Sequence, residues 1–555
     1  MPNRVTMPPY PPPRTVTVAE ALLEQLRLWG VTRIYGVVGD AVFGLLDALA
    51  HQDDIAFISV KHESTAAMMA SAEAKLTGKV AVCLAQMGPG LANLINGLGD
   101  AYMDKAPVLA ITGEAPLNKI GTPYKQSVNQ QELISAVASY SRLVVHPDAA
   151  VESLSQAMKK ALFNRSVSHL SMPKDLFQMD TQYSPQLPPH TSVHAPNRDC
   201  LQRAIELMST ADRPMLLVGS GIQVSKEKLQ ELADVWCCGI AMSYGAIGIV
   251  SEAHPHMLNG IGEGGNPYLT ELFKESDVVF ALETDWWPDG MVPLNARVIQ
   301  AANQPGSFSV SLPMDTGLAG DLTAIVEELT DALKKRSINN PLWLEKIRLF
   351  KQTWLAQKES EGSREESPLH PAGIIRAVEQ QVAEDAVICL DEGDSTLWFL
   401  RNFRAKRQQI LLSNRWRTMG FGLPAAIAAK LCLPQKQIVC LTGDGGLTMV
   451  LADLLTAKRY GLMITVIVFN NGSLQMEKDK MLMTGLHPEG TSLTNPDFAK
   501  VAEACGWVAY SVATHQQLNE ALSQAKSASS PVLIDALTAQ IPHPDFQTIS
   551  RRPTI

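Results

Sequence analysis

The stretch Gln437-Ile438-Val439-Cys440-Leu441-Thr442-Gly443-Asp444-Gly445-Gly446 decides the fold class of this chain. Its apolar opening, Gln437 to Leu441, is the length of a buried parallel strand, and the residues after it, Leu447 to Tyr460, have helical character. A second buried strand is expected over Leu462 to Phe469, running into Asn470-Asn471-Gly472-Ser473. Asp444 and Asn471 are 27 positions apart, enough for one strand-helix-strand crossover. Both side chains then lie beyond the carboxyl ends of two parallel strands, where open α/β sheets bind ligands.

Asp444 offers a carboxylate and Asn471 an amide carbonyl, the hard oxygens that suit Mg²⁺ or Ca²⁺. Gly445 and Gly446 open the next helix and let backbone N–H groups approach a phosphate at its positive end. A metal ion holding a diphosphate accounts for both motifs together. A plain strand-to-helix turn capped by Asp444, followed by an unrelated Asn-Gly turn, accounts for each alone.

The pairing of GDGG with NNGS at this separation resembles the thiamine-diphosphate motif of the pyruvate oxidase, acetolactate synthase and pyruvate decarboxylase family. The resemblance runs from about Val16 to about Ala539. It includes Tyr35-Gly36-Val37-Val38-Gly39-Asp40, Lys61-His62-Glu63, Gly88-Pro89-Gly90, Asp391-Glu392-Gly393 and Thr418 to Pro424, and its wording is closest to the pyruvate oxidase branch. It implies an α/β protein whose parallel sheets are flanked by helices, with two similar cofactor-binding domains and a central Rossmann-like one. Short apolar strands alternating with amphipathic helices agree with this class. The expected boundaries are a flexible proline-rich arm over 1–15, a pyrimidine-binding domain over 16–184 and a central domain over 198–335. A helix and linker over 336–369 and a diphosphate-binding domain over 370–545 complete the chain. The linkers follow from proline-rich Tyr183–Asn197 and the charged, small-residue stretch Glu359–His370.

The resemblance also implies site residues. Asp444, Asn471 and the Ser473 main-chain carbonyl would hold Mg²⁺. Gly393, Asp394, Ser395, Thr418, Met419, Gly445, Gly446 and Leu474 would contact thiamine diphosphate, Met419 keeping its two rings folded over each other. Glu63 would contact N1′ of the aminopyrimidine and so promote proton loss from the thiazolium carbon; a glutamate in a first helical turn also simply complements the dipole. In the family this glutamate and the diphosphate motif come from different subunits, so a homodimer or homotetramer is expected.

Composition narrows the rest. The 555 residues suggest about three domains, and 46 % hydrophobic content supplies large cores. A net charge of −9 argues against nucleic acid as a partner. The eight cysteines are scattered without a CxxC, several inside apolar runs, as small hydrophobes are. The N-terminus lacks an apolar signal region and no run of 18 apolar residues occurs, so a cytoplasmic enzyme without a membrane partner is expected.

The chain departs from the family around the expected substrate pocket, which Val38, Lys125, Gln126, Arg417, Met476 and Lys480 would shape. Lys125-Gln126-Ser127 replaces the common Phe-Gln-Glu, Met476 and Lys480 replace an aromatic and a glutamate, and Arg417 stands where glycine is usual. Three basic residues point to an anionic acceptor or a second charged group on the substrate; alternatively each runs to solvent or pairs with Glu477 or Asp479. The middle domain keeps Gly219-Ser220-Gly221 and Gly260-Ile261-Gly262. Gln300-Ala301-Ala302-Asn303-Gln304 lacks the acids that hold the adenosine end of flavin, though Asp321 remains, and Trp286-Trp287-Pro288 replaces an arginine-bearing loop. Bound FAD is therefore not expected. The reaction expected is decarboxylation of pyruvate or a related 2-oxo acid, with transfer of the activated aldehyde to an acceptor. The alternatives are a flavin-containing pyruvate oxidase and a non-catalytic subunit of the same fold; a nucleotide hydrolase lacks its GxxxxGK[ST] loop.

Overall fold

The computed structural model describes residues 14–188, 195–222, 224–284, 295–309 and 313–549. Most of the 1–15 arm, Trp286-Trp287-Pro288 and part of the Tyr183–Asn197 linker lie outside them.

Three six-stranded parallel sheets dominate the described residues. After β1 (Arg14–Thr17), the first sheet contains β2 (Arg33–Gly36), β3 (Ala56–Ser59), β4 (Ala81–Ala85), β5 (Val108–Glu114), β6 (Tyr140–Leu143) and β7 (Val167–Pro173). Strand β8 (Asp180–Tyr183) pairs antiparallel with β1. The second sheet holds β9 (Pro214–Val218), β10 (Gly239–Met242), β11 (Met257–Gly260), β12 (Val278–Leu282), β13 (Arg297–Ala302) and β14 (Thr316–Ala319). The third holds β15 (Val387–Leu390), β16 (Gln409–Leu411), β17 (Ile438–Gly443), β18 (Thr465–Asn470), β19 (Val508–Val512) and β20 (Val532–Leu537).

The first sheet runs β3-β2-β4-β5-β7-β6 and the third β16-β15-β17-β18-β20-β19, the same order when each is counted from its own first strand. The second runs β11-β10-β9-β12-β13-β14, the order 3-2-1-4-5-6 of a dinucleotide-type sheet. The inner strands β4, β5, β9, β12 and β15 are buried along their whole length, which is why β4, β9, β12, β15 and the first four residues of β5 are apolar runs rather than alternating ones.

The chain forms two compact units. One comprises residues 1–190, 415–432 and 450–460; the other comprises 191–414, 433–449 and 461–555. In the first, Leu22, Ile34, Val82, Leu109 and Leu170 fill the core. The helix Glu63–Thr77 packs on the helix Pro89–Met103 so closely that a Cβ on Gly97 would lie 2.5 Å from the Met68 backbone nitrogen. The alanine-rich helix Gly422–Cys432 also rests on Glu63–Thr77. In the second unit one continuous core joins Leu216, Phe280 and Ile325 to Leu390, Leu441 and Ile467. Each such side chain contributes roughly 1.5–3 kcal/mol on burial.

One local expectation changes, and two further features add to the sequence reading. The segment Leu447–Tyr460 is not one helix but Asp444–Met449, a 3₁₀ turn Leu451–Asp453 and Leu454–Arg459. The break lets the buried Asp453 carboxylate accept from Lys61 N at 3.1 Å, Thr65 Oγ1 at 2.7 Å and Thr456 Oγ1 at 2.7 Å. The helix begun at Pro341 runs on to Gly362, because Glu361 forms two 2.8 Å bonds with buried Arg401. In the tail, Pro544–Ile549 is helical, started by a proline whose missing N–H costs nothing there. All eight cysteines are free thiols, Cys237 and Cys238 both buried. Among the described residues no helix is long and apolar enough to cross a membrane.

Candidate active site

At the third sheet, β17 and β18 pair in parallel and end side by side, Gly443 opposite Phe469. Asp444 begins the next helix and is 2 % exposed. Its Oδ1 accepts from Gly445 N at 2.9 Å, and its Oδ2 accepts from Gly472 N and from Asn495 Nδ2, each at 2.7 Å. Burial raises its pKa, and the bonds from Asn495 and the backbone work against that rise. The carboxylate is thus preorganised, and among the described residues no cationic side chain pairs with it. Asn471 Oδ1 accepts from Ser473 N at 3.0 Å, and its main-chain carbonyl accepts from Gln540 Nε2 at 2.7 Å. Leu474 is anchored by its N–H on Thr491 O at 2.8 Å, at the start of the helix Gln475–Met483.

The neighbouring strand β15 brings Gly393, Asp394 and Ser395 to the same edge. Gly393 has φ +140°, open to glycine, and nothing stands within 4 Å of where its Cβ would be. A Cβ on Gly446 would instead meet the Asp391 carboxylate at 2.7 Å, so only glycine fits there. Asp394 Oδ2 accepts from Trp398 Nε1 at 3.1 Å. Burial, reinforced by the charge of Asp479, pushes the Asp394 carboxyl up to about 8. Asp394 Oδ1, Ser395 Oγ and Ser473 Oγ are sealed from solvent without a hydrogen-bond partner. Orphaned polar atoms of this kind are costly unless a ligand satisfies them. An edge with an unpaired carboxylate, an amide oxygen, two buried hydroxyls and glycines fits a divalent cation and a diphosphate.

Glu63, Thr418 and Met419 belong to the other unit, together with Arg417. Glu63 is the first residue of its helix, with His62 as N-cap, and its Oε2 accepts from Asn93 Nδ2 at 2.9 Å. One turn along the Pro89–Met103 helix, Asn96 donates to Thr418 Oγ1 at 2.9 Å and accepts from Trp416 Nε1 at 2.9 Å. A single helix face therefore positions the carboxylate and the Thr418-Met419 segment together. Met419 is half-buried, and Arg417 takes the left-handed conformation with φ +52°.

The remaining substrate candidates divide. Lys125 and Gln126 meet Asp40 and Gln86 beyond the ends of β2 and β4, and Val38, two residues past β2, is exposed. Gln86 Nε2 donates to Asp40 Oδ1 and to Gln126 Oε1, both at 2.9 Å, and Lys125 Nζ is 3.3 Å from Asp40 Oδ2. Lys174 joins the same carboxylate at 3.5 Å, and hydrogen bonding to Lys125 helps to hold the Asp40 pKa below its usual value against the opposing effect of burial. Met476 packs partly into the core beneath the third sheet, and Lys480 forms an exposed 3.4 Å pair with Glu477. Asp479 is engaged elsewhere, accepting from Gln475 Nε2 at 2.7 Å and His543 N at 3.3 Å.

In the second sheet a Cβ on Gly219 would sit 1.8 Å from the Glu283 carbonyl, so the Gly219-Ser220-Gly221 turn is pressed against the end of β12. The buried Glu283 carboxylate accepts from Asn303 N at 2.9 Å. Gln300 is locked in a reciprocal pair with the Ser309 backbone, at 2.7 and 3.0 Å, and Asp321 caps the helix Leu322–Lys334.

Asn93, Asn96, Gln86 and Asn495 escaped the sequence reading. The i, i+3 spacing of Asn93 and Asn96 after Gly88-Pro89-Gly90 was a usable signal. Asn495 lies in an irregular loop and offered none.

Three family models match the chain: the N-terminal TPP binding domain of thiamine pyrophosphate enzymes at residues 16–136, their central domain at 201–329 and their C-terminal TPP binding domain at 391–536. Among curated relatives, Bacillus subtilis YdaP, described as thiamine pyrophosphate-containing, is 33 % identical over 95 % of this chain and 92 % of its own length. Lactiplantibacillus plantarum pyruvate oxidase is 30 % identical, with 94 % and 88 % covered. The acetolactate synthase large subunit of Buchnera aphidicola is 28 % identical, with 91 % of each chain covered.

Proposed function

Because the chain belongs to the thiamine pyrophosphate enzyme family, we propose that it decarboxylates pyruvate or a related 2-oxo acid and transfers the activated aldehyde to an acceptor. In this reading Asp444, Asn471 and the Ser473 carbonyl hold Mg²⁺, while Gly393, Asp394, Ser395, Gly445, Gly446 and Leu474 receive the diphosphate end. Thr418 and Met419 support the coenzyme rings. Thiamine diphosphate, when bound, supplies a carbon nucleophile and an electron sink for the decarboxylation. Glu63 holds or moves a proton at its carboxyl oxygen, positioned by Asn93. Val38, Lys125, Gln126, Arg417, Met476 and Lys480 shape substrate choice, with the Lys125–Asp40 pair tempering the positive charge. The glutamate of one copy serves the metal edge of another, so a homodimer or homotetramer is the active form.

The observation that carries the reading is the Asp444 carboxylate, buried and, among the described residues, bonded to neutral donors beside the orphaned hydroxyls of Ser395 and Ser473. The test is a mass-spectrometric product screen with pyruvate and varied acceptors, with and without thiamine diphosphate and Mg²⁺. Coenzyme-dependent carboligation supports it; no turnover of any 2-oxo acid favours the non-catalytic alternative.

A second reading, a flavin-dependent pyruvate oxidase, draws on the 3-2-1-4-5-6 order of the second sheet and on the pyruvate oxidase relative. Against it, Glu283 closes on Gly219, Gln300 is tied to Ser309 and Asp321 is spent on a helix cap. A flavin band in the purified protein's spectrum, with pyruvate-dependent bleaching, would decide for the oxidase.

A further inference from the structure

Away from these edges, three side chains converge beside the second sheet. Asp234 lies in the last turn of the helix Lys226–Trp236, and His254 and His256 stand just before β11. Asp234 Oδ1 is 3.2 Å from His254 Nε2 and 3.8 Å from His256 Nδ1. One ligand atom from each residue lies within 4.8 Å of the other two. The imidazole side chains are 8 % and 15 % exposed, whereas the Asp234 side chain is 60 % exposed and reaches in from the surface.

Two features of this arrangement are unfavourable without a cation. An aspartate in a last helical turn sets its charge against the negative end of the dipole. Among the described residues His256 Nδ1 is buried without a hydrogen-bond partner, although the Ala233 backbone is hydrogen-bonded to the ring. This nitrogen stands 3.8 Å from the Asp234 Oδ1 acceptor. A cation between them makes both into ligands, the Ala233 backbone being the kind of partner that orients a metal-bound histidine.

We propose that Asp234, His254 and His256 form a divalent transition-metal site of the two-histidine, one-carboxylate type, taking Zn²⁺ and its neighbours Co²⁺ and Ni²⁺. Imidazole nitrogens select these ions over Mg²⁺. In a tetrahedral zinc site with bonds of about 2.0–2.1 Å, ligand atoms stand about 3.3 Å apart, close to the 3.2 and 3.8 Å that already separate Asp234 Oδ1 from the two imidazole nitrogens. The open side leaves a fourth position to water. Binding costs two contacts: His254 Nδ1 now accepts from His256 N at 3.3 Å, and its Nε2 is hydrogen-bonded to Asp234 Oδ1 at 3.2 Å; ligation through Nε2 puts the ion in place of the second and moves the ring proton to Nδ1. Lys351, whose amine donates to the Glu252 and His254 carbonyls behind the turn, is the opposing charge.

The full-length chain, saturated with thiamine diphosphate and Mg²⁺ so that the coenzyme edge is filled, is titrated with Zn²⁺ by calorimetry and with Co²⁺ by visible spectroscopy. The expected result is one equivalent per chain and the intense bands of tetrahedral cobalt. Both weaken at least ~10–100-fold in His256→Gln and Asp234→Asn, and neither changes in His51→Gln, an exposed histidine elsewhere. Absence of the equivalent, or the same affinity in Asp234→Asn, overturns the site. Asp234 is on the surface, so that variant decides the matter even if His256→Gln fails to fold.

Discussion

The first and third sheets share one strand order, so their carboxyl edges invite direct comparison. At the third, the strands β17 and β18 end in Asp444 and Asn471, oxygens set in a fixed net of backbone and amide donors. At the first, the corresponding strands β4 and β5 end near Gln86 and at Glu114. Gln86 is spent on Asp40 and Gln126, and Glu114 on the Ala115 N–H at 2.8 Å and Gln130 at 2.7 Å. The Gln86 oxygen is also engaged, accepting from Ala41 N at 2.9 Å, so the side-chain oxygens of Gln86 and Glu114 are all bonded. The contribution of this first edge comes from the helix after β3, where Glu63 is held by Asn93. In the proposed function one frame serves two tasks, anchoring on one edge and proton handling on the other, with strand-end chemistry rather than topology separating them.

This division is open to attack at four points. Glu63→Gln, on the proton-handling edge, should lower kcat roughly 10²–10⁴-fold while leaving coenzyme affinity nearly unchanged; steady-state kinetics beside calorimetry separates the two, and an equal loss of affinity would merge the roles. Asn495→Ala, on the anchoring edge, removes a donor from Asp444 and should weaken Mg²⁺-dependent coenzyme binding about 10–100-fold, with turnover recovered at saturation. If kcat falls instead, Asn495 acts on the chemistry and the comparison fails.

The third test uses pH. Asp394 stays neutral in the folded protein up to about 8, while in the unfolded chain it ionises near ~3.9. The coenzyme-free fold is therefore most stabilised by this group below that lower value. The contribution is lost as pH rises toward the folded value, at up to about 1.4 kcal/mol per pH unit, and is constant above it. Denaturant midpoints across this window should fall less steeply for Asp394→Asn; parallel curves would contradict the burial argument. The smallest effect is expected for Lys480→Ala. Its exposed pair with Glu477 contributes about 0–1 kcal/mol, so stability should barely move, and any change should appear in acceptor preference measured by competition.

The fold was legible because inner parallel strands are continuous apolar runs. The two strands proposed from the sequence, Gln437–Leu441 and Leu462–Phe469, are present within a few residues as Ile438–Gly443 and Thr465–Asn470. The Asp444–Asn471 spacing was legible for the same reason, since a crossover has a minimum length. What escaped was tertiary in origin. The break at Val450 serves Asp453, whose donors Lys61 and Thr65 lie nearly four hundred positions away in sequence. The extension to Gly362 serves Arg401, and Asn495 reaches Asp444 from a loop without periodicity. Pairings of that kind leave no local pattern to read.

The central claim is that the Asp444–Asn471 edge anchors thiamine diphosphate through a divalent ion. Calorimetric titration of the full-length chain with the coenzyme, with Mg²⁺ present or chelated, tests it directly. The account predicts saturable binding at one site per chain that disappears on chelation and in Asp444→Ala. Binding of unchanged strength in Asp444→Ala, or none in the parent protein with Mg²⁺, would contradict it.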